Sequence, residues 1–170
     1  MGVALAAEPT ALQSEFDVEV YSQQGATMGC GLTFNTAWVN YEHQVLATVG
    51  SLTVFAGSGS ILKIGTSLNN QVQNLSFAWV VVPNIGSTKT FSPLLPNQTG
   101  PSFSFAGKPD SQGLVRLSAA ARTGFTLGIS IVGLPLDETV NIPAAPLNVL
   151  ARLDECTRAL TTRQTEFESK

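Results

Sequence analysis

Two cysteines and one histidine are the residues of this 170-residue sequence whose side chains could carry nucleophilic or metal-binding chemistry. Cys30 lies in "GATMGCGLTF", Cys156 in "LNVLARLDECTRAL", and His43 in the polar stretch "NYEHQ". Structural zinc takes four soft or imidazole ligands, so these three residues cannot complete a site without carboxylates. A cysteine nucleophile needs a base to form its thiolate, and a Cys–His–Glu set using Glu42 is the arrangement that this sequence would allow.

The two cysteines also fit a disulfide, with a pair of unrelated free thiols as the alternative. An even cysteine count and a candidate export signal favour the disulfide. Strand alternation places Cys30 on the same face as Leu32 and Phe34, whose apolar side chains belong in a core. Helical spacing places Cys156 close to Leu153, on the edge of an apolar stripe. Both sulfurs are therefore expected to face the same core, and we predict a Cys30–Cys156 disulfide.

Other catalytic motifs are incomplete, and the sequence predicts a protein that is not an enzyme. The stretch "GSGSILKIG" lacks the Gly-Lys-Ser/Thr ending of a phosphate-binding loop, and no Gly-x-Ser-x-Gly nucleophile motif is present. We predict no catalytic residues, no metal and no cofactor. Trp38 and Tyr41 are interpreted first as core residues. If they are exposed, they form with His43 a candidate ligand surface on which a sugar could stack.

Charge is scarce, which constrains the kind of partner. Only 12% of the residues are Asp, Glu, Lys or Arg, against roughly 25% in typical globular domains. Between His43 and Gly107, Lys63 and Lys89 are the only such residues, and Ser, Thr, Asn and Gln supply the polarity. The net charge of −3 and the scattered bases argue against nucleic acid, since phosphate-binding faces need clustered Lys and Arg. This composition is typical of β-rich proteins of the cell exterior or of assembled particles.

Two segments of the sequence bear on export and on membrane insertion. Residues 1–14 are interpreted as a flexible N-terminus or the remnant of a signal peptide, because "ALAAEP" has the small-x-small form of a cleavage site. Residues 44–62 carry no charge, but glycines interrupt them, so they predict a hairpin instead of a membrane span. A periplasmic or extracellular location follows as the expectation.

Short apolar or alternating segments predict an all-β fold. In "FDVEVY", Phe16, Val18 and Val20 share one face, which is the pattern of a half-buried strand. Similar segments follow; they are "GCGLTF", "QVLATVGSLTVFA", "SILKIGTSL", "NLSFAWVVV", "GLVRLSAAA" and "FTLGISIVGL". Residues 83–113 contain five prolines and are predicted to form a long surface loop, with a short edge strand at 102–106.

One helix is predicted, over about residues 146–166. Pro146 suits its first turn, and the expected apolar stripe consists of Leu147, Leu150, Leu153, Thr157 and Leu160. Residues 15–170 are thus expected to be a single domain, a sandwich or barrel of short antiparallel strands with one C-terminal α-helix packed on it.

A β-rich body, a cysteine in the first hairpin ("GATMGCGLTF") and the terminal "LNVLARLDECTRAL" resemble, in layout, small exported bacterial proteins of the invasion-associated locus B type. The resemblance implies a periplasmic or surface location and no catalytic chemistry. It transfers no site, and the further cysteines expected in that family are absent here.

The function predicted from the sequence is that of an exported, non-enzymatic protein acting through a binding surface on a protein or cell-surface partner. A homo-oligomer is compatible with this function. The alternative is a structural assembly subunit of a pilus, coat or virion, for which low charge and Asn- and Ser-rich strands are also expected. A hydrolase that uses His43 is a third and less favoured alternative.

Overall fold

A computed structural model of the protein describes residues 11–39, 45–57, 59–66, 75–85, 88–94, 102–108, 110–131 and 138–168. Within these residues the chain forms nine β-strands and two α-helices. In chain order they are β1 (Ala11–Gln23), β2 (Ala26–Val39), β3 (Val45–Phe55), β4 (Gly59–Thr66), β5 (Leu75–Val81), β6 (Thr88–Pro93), β7 (Ser102–Gly107), α1 (Gly113–Thr123), β8 (Phe125–Ile131), β9 (Glu138–Ile142) and α2 (Leu147–Glu168).

The strands form one antiparallel sheet that curves into a nearly closed, barrel-like shape. Its strand order is β1-β2-β3-β4-β7-β6-β5-β8-β9. The two ends of this order, β1 and β9, lie close together, and α2 packs against β2 and β1. The predicted fold class, an antiparallel sandwich or barrel with a C-terminal helix packed on it, is therefore confirmed.

Strand alternation builds the core on the concave side of the sheet. Leu32 lies opposite Leu52, Leu52 opposite Leu62, and Leu62 opposite Phe105, so one buried row crosses four strands. These side chains share a face because side chains on a strand alternate with a period of two. The predicted inward face of Cys30, Leu32 and Phe34 is confirmed, since all three residues are buried.

Phe34 connects the two sides of the barrel. Its ring lies directly over Gly50, where a β-carbon would be 2.5 Å from the ring. On its other side it meets the ring of Phe125 edge-on, with the centroids 5.5 Å apart. The ring therefore bridges β2 and β8, which are far apart in the strand order.

The C-terminal helix was predicted correctly, although its buried face is rotated from the expected one. Val149, Leu153, Cys156 and Leu160 are buried, at the spacing of four, three and four residues that makes one face of a helix. Leu147 is 83% exposed. Because successive residues turn by about 100° around the helix axis, Leu147 lies almost opposite Val149, and its place in the predicted stripe is wrong. The burial predicted for Leu153 and Leu160 is confirmed, and Leu150 is partly buried against the core.

A second helix, α1, occupies the segment "GLVRLSAAA" that was predicted to be a strand. Leu117, Ala120 and Ala121 are fully buried, at the i, i+3, i+4 spacing of one helix face. Alanine has the highest helix propensity of all residues. The strand prediction for this segment did not take its alanines into account. The helix ends at Gly124, whose φ of 77° is costly for other residues.

Residues 83–113 are not one long loop. The strand β7 pairs with β4 on one side and with β6 on the other, so it lies inside the sheet and the edge-strand prediction is wrong. The prolines suggested a loop because proline has no N–H to donate to the hydrogen bonds of a sheet. Pro93 is the last residue of β6, where the loss of one donor is tolerated. Phe91, Phe103 and Phe105, from β6 and β7, are buried on the concave side of the sheet.

Paired substitutions at Leu117 and Val115 test the helical assignment of α1. Replacing the fully buried Leu117 by Ala is expected to lower the free energy of unfolding by about 2–5 kcal/mol. Val115→Ala, at a position 55% exposed, is expected to change it by less than about 0.5 kcal/mol. Denaturant unfolding measures both. Residues 115 and 117 would share a face in a strand, so similar losses at the two positions would contradict the helix.

Candidate functional site

Cys30 and Cys156 form a disulfide, as the sequence predicted. The S–S distance is 2.04 Å and the Cα–Cα distance is 5.9 Å, across a sequence separation of 126 residues. Cys30 is fully buried and Cys156 is 5% exposed. Neither cysteine is therefore a thiol, which removes the Cys–His–Glu nucleophile and the cysteine metal ligand from consideration.

Trp38 belongs to the core and not to a ligand surface. Its side chain is 1% exposed, and its indole N–H donates a hydrogen bond of 2.8 Å to the hydroxyl of Thr48. A buried ring whose polar atom is already bonded cannot stack on a sugar at the surface. The other two members of the candidate ligand surface, Tyr41 and His43, lie outside the described residues.

A groove of about 660 Å³ lies between the two helices. Its lining residues are Leu114, Val115, Ser118, Ala119 and Arg122 from α1, and Asp154, Thr157, Arg158 and Thr161 from α2. Leu114, Val115 and Ala119 give it an apolar strip, and Val115 is 55% exposed. Sequence reasoning missed this groove because it placed α1 in the sheet. Alanine enrichment in "LSAAA" was the signal that could have found the second helix.

One ion pair spans the groove and joins its two walls. The guanidinium of Arg122 donates to both carboxylate oxygens of Asp154, at 2.7 and 2.6 Å. Both bonds come from one guanidinium nitrogen, Nη2, and the two side chains are 50% and 39% exposed. Arg158, one turn beyond Asp154, also lines the groove and is exposed. Two arginines against one aspartate leave the lining with a net charge of +1.

The hydroxyl groups along the α2 wall are engaged with the helix backbone. Thr157 donates to the carbonyl of Asp154 at 3.2 Å, and Thr161 donates to the carbonyl of Thr157 at 2.9 Å. The lining contains no histidine or cysteine that could act on them as a base. The groove thus presents apolar surface and a net positive charge.

A second cluster, at the start of α1, is structural. Asp110 accepts a hydrogen bond from the amide of Gln112 at 2.9 Å and pairs with Arg116 at 3.4 Å. The adjoining cavity, lined also by Leu52, Phe91 and Leu117, measures about 10 Å³, which is close to the space that one water needs. The carboxylate of Asp110 thus holds the amide of Gln112, the residue that precedes the helix, and an arginine of the first helical turn.

A third polar cluster lies at the outer edge of β1. The carboxylate of Asp17 accepts a hydrogen bond from the amide of Val18 at 2.8 Å and forms an ion pair with Arg152 of α2. Arg152 also donates to the carbonyl of Val18 at 3.4 Å. The Val18 amide first, and then Arg152, hold the pKa of Asp17 below its ordinary value of 3.8.

The part of the chain that the structure describes contains no group of three His, Cys, Asp or Glu side chains placed to hold a metal ion. None of the helices within the described ranges is long and apolar enough to cross a bilayer.

Comparison with known proteins gives no relative from which a function could be transferred. No protein-family model matches the chain, and neither a curated protein nor a solved structure matches it significantly.

Removal of the disulfide is expected to be the most destabilising single change at these sites. Cys156→Ser should lower the free energy of unfolding by up to about 5 kcal/mol, because the bond closes a long loop in the unfolded chain. Thermal unfolding with and without reductant measures the effect. The Cys30→Ser/Cys156→Ser variant is the control and should not respond to reductant. A wild type that melts at the same temperature in both conditions would contradict a stabilising role.

The pH dependence of stability should contain a contribution from Asp17. Its pKa is lower in the folded than in the unfolded chain, so its stabilisation is present above about pH 4 and is lost as pH falls through the folded value. Asp17→Asn should remove this contribution. Arg152→Gln should remove only part of it, because the hydrogen bond from the Val18 amide, which also lowers the pKa of Asp17, remains. Unfolding curves between pH 7 and pH 2 test this, and equal pH profiles for all three proteins would contradict it.

Proposed function

We propose that this chain is an exported, non-enzymatic binding protein that engages a protein partner through the α1–α2 groove. One observation carries the proposal: the exposed Val115, flanked by the partly buried Leu114 and Ala119, lines an open groove beside the exposed Arg158. Apolar surface gathered in a groove with polar borders is typical of interaction sites on soluble proteins.

The groove favours a partner of particular chemistry. Two helices with an apolar strip between them accept a third helix that presents small apolar side chains at helical spacing. Arg158 would then meet an acidic side chain of the partner, because Asp154 is already held by Arg122. Charge complementarity of this kind contributes mainly to specificity and to the rate of association.

Binding is favoured over catalysis by the state of the reactive groups. Both cysteines are consumed in the disulfide, and the threonine hydroxyls of the groove bond to helix carbonyls. Export is supported by the buried disulfide, since such bonds persist in oxidising compartments. The low charge and the layout resemblance to exported proteins of the invasion-associated locus B type support a periplasmic or extracellular location as well.

The alternative function, a structural assembly subunit, is favoured by a different observation. Among the described strands, β1 ends the sheet order and has β2 as its one partner, and such an edge can accept a strand from a neighbouring subunit. The hydrolase hypothesis rests on His43 alone, and His43 lies outside the described residues.

Site-specific photo-crosslinking in intact source cells tests the proposed groove. A photoreactive amino acid at Val115 is expected to give a discrete crosslinked product with another protein. The same amino acid at Val49 is the matched control, because the two positions are 55% and 54% exposed and Val49 lies on the sheet. Equal products from both positions, or none from Val115, would contradict groove binding.

A charge reversal and a compartment assay complete the test. Arg158→Glu should reduce the Val115 product while leaving the melting temperature unchanged, because Arg158 is exposed. Fractionation with acid trapping of thiols should place the protein outside the cytoplasm with both cysteines oxidised. Free thiols on a cytoplasmic protein would overturn the export part of the proposal and leave the groove test intact.

A further inference from the structure

Among the described strands, β2 is the only one that pairs with β1, which is 13 residues long. Over most of its length the other side of β1 has no described strand paired with it. The nearby β9 has five residues, so it can face only a part of that edge. Unpaired amides and carbonyls on a long edge strand form a template for another strand.

The bonds at Val18 show which backbone groups face this edge. Its amide donates to the carboxylate of Asp17, and its carbonyl accepts a hydrogen bond from Arg152 of α2, so both groups are reached by side chains. In an antiparallel pair both groups of a residue point to the same side, so Phe16 and Val20, two residues away on each side, share this orientation. The Asp17–Arg152 ion pair therefore occupies the place where a neighbouring strand would bond.

We propose that the free edge of β1 is a pairing surface for β1 of a second copy of this chain, held closed by the Asp17–Arg152 ion pair. The inference concerns a different surface from the α1–α2 groove and does not depend on that proposed function. It gives the assembly alternative a definite interface.

Self-pairing is favoured by the apolar face of the strand. A two-fold axis at Val18 would set two copies antiparallel, with Val18 opposite Val18 and Phe16 opposite Val20 of the other copy. Val20 is 52% exposed although it lies opposite the fully buried Cys30 in the sheet. Pairing would cover it with the half-buried Phe16 of the second copy. The exposed valine and the residue that would cover it thus belong to the same strand.

The other face of the strand opposes self-pairing at neutral pH. In this register Asp17 of each copy lies opposite Glu19 of the other copy, so the two-fold axis creates two such contacts. Like charges directly opposite each other on neighbouring strands destabilise the pairing. Around Asp17, β1 contributes Glu15 and Glu19, α2 contributes Arg152, and β2 contributes the uncharged Thr33 opposite it. Asp17 therefore closes the edge in two ways, by anchoring Arg152 and by repelling Glu19 of a second copy.

Both side chains of the ion pair are exposed, 55% for Arg152 and 64% for Asp17, so the closure can open without disturbing the core. Exposed ion pairs are weak in water. Substitutions at these two positions are therefore expected to change association without unfolding the protein.

The experiment compares the self-association of matched variants of the full chain at pH 7 by sedimentation velocity. Asp17→Asn/Arg152→Gln is expected to raise the dimer association constant at least about tenfold over wild type, because two like-charge contacts are removed and the edge is opened. Arg152→Gln alone should raise it less, since Asp17 still faces Glu19. Glu155→Gln/Arg158→Gln removes one acid and one base from α2 and should leave association unchanged.

Two further substitutions in the Asp17→Asn/Arg152→Gln background locate the interface. Val20→Lys should return the protein to the wild-type association constant, because it places a charge within the paired edge. Val115→Lys, in the groove, should leave the dimer intact. In the dimer, the amides of Phe16 and Val20 should exchange with solvent more slowly than in wild type.

Three results would overturn the proposal. They are association of the double variant equal to that of wild type, an equal increase in the Glu155→Gln/Arg158→Gln control, and a dimer that persists with Val20→Lys. If circular dichroism shows that the double variant does not fold, Asp17→Asn alone is compared with wild type instead. An association constant for Asp17→Asn equal to that of wild type would also overturn the proposal.

Discussion

The Cys30–Cys156 disulfide is the interaction on which the seating of α2 on the sheet, and with it both proposed surfaces, depends. It joins the centre of β2 to the middle of α2, and it does so inside the core. Hydrophobic burial along Val149, Leu153 and Leu160 sets the same face of α2 against the sheet. Both the position and the rotation of the helix are fixed as a result, because a covalent bond allows much less sliding than an apolar face does.

That fixed helix serves two surfaces at once. Asp154 points toward α1 and forms one wall of the groove, whereas Arg152 points toward the outer edge of β1. The two residues are two positions apart and therefore lie on different sides of the helix. The proposed partner groove and the proposed self-pairing edge are consequently separate, although both depend on how α2 is seated.

Sequence reasoning predicted the parts of this fold that follow from local periodicity. Alternation placed Cys30, Leu32 and Phe34 in the core, and helical spacing at Leu153 and Leu160 located α2. It failed at α1, where Leu117 is buried together with two alanines that period-two matching does not distinguish from a strand. The prediction from sequence also failed at β7. Phe103 and Phe105 belong to an inner strand because β7 pairs with β4 and β6, and those pairings do not follow from the local sequence. The groove depends on α1 and could not be foreseen without it. The first interpretation of Trp38 as a core residue is confirmed, since its ring is buried and its indole N–H bonds to Thr48.

Amide hydrogen exchange of the oxidised and the reduced protein measures most directly whether the disulfide seats α2 and, with it, both surfaces. The account predicts that reduction accelerates exchange along α2 first. The acceleration should extend to α1, while β4, β7 and β8, which α2 does not stabilise directly, keep their protection. Unchanged protection of α2 after reduction, or uniform loss of protection across the sheet, would contradict the central role given to this bond.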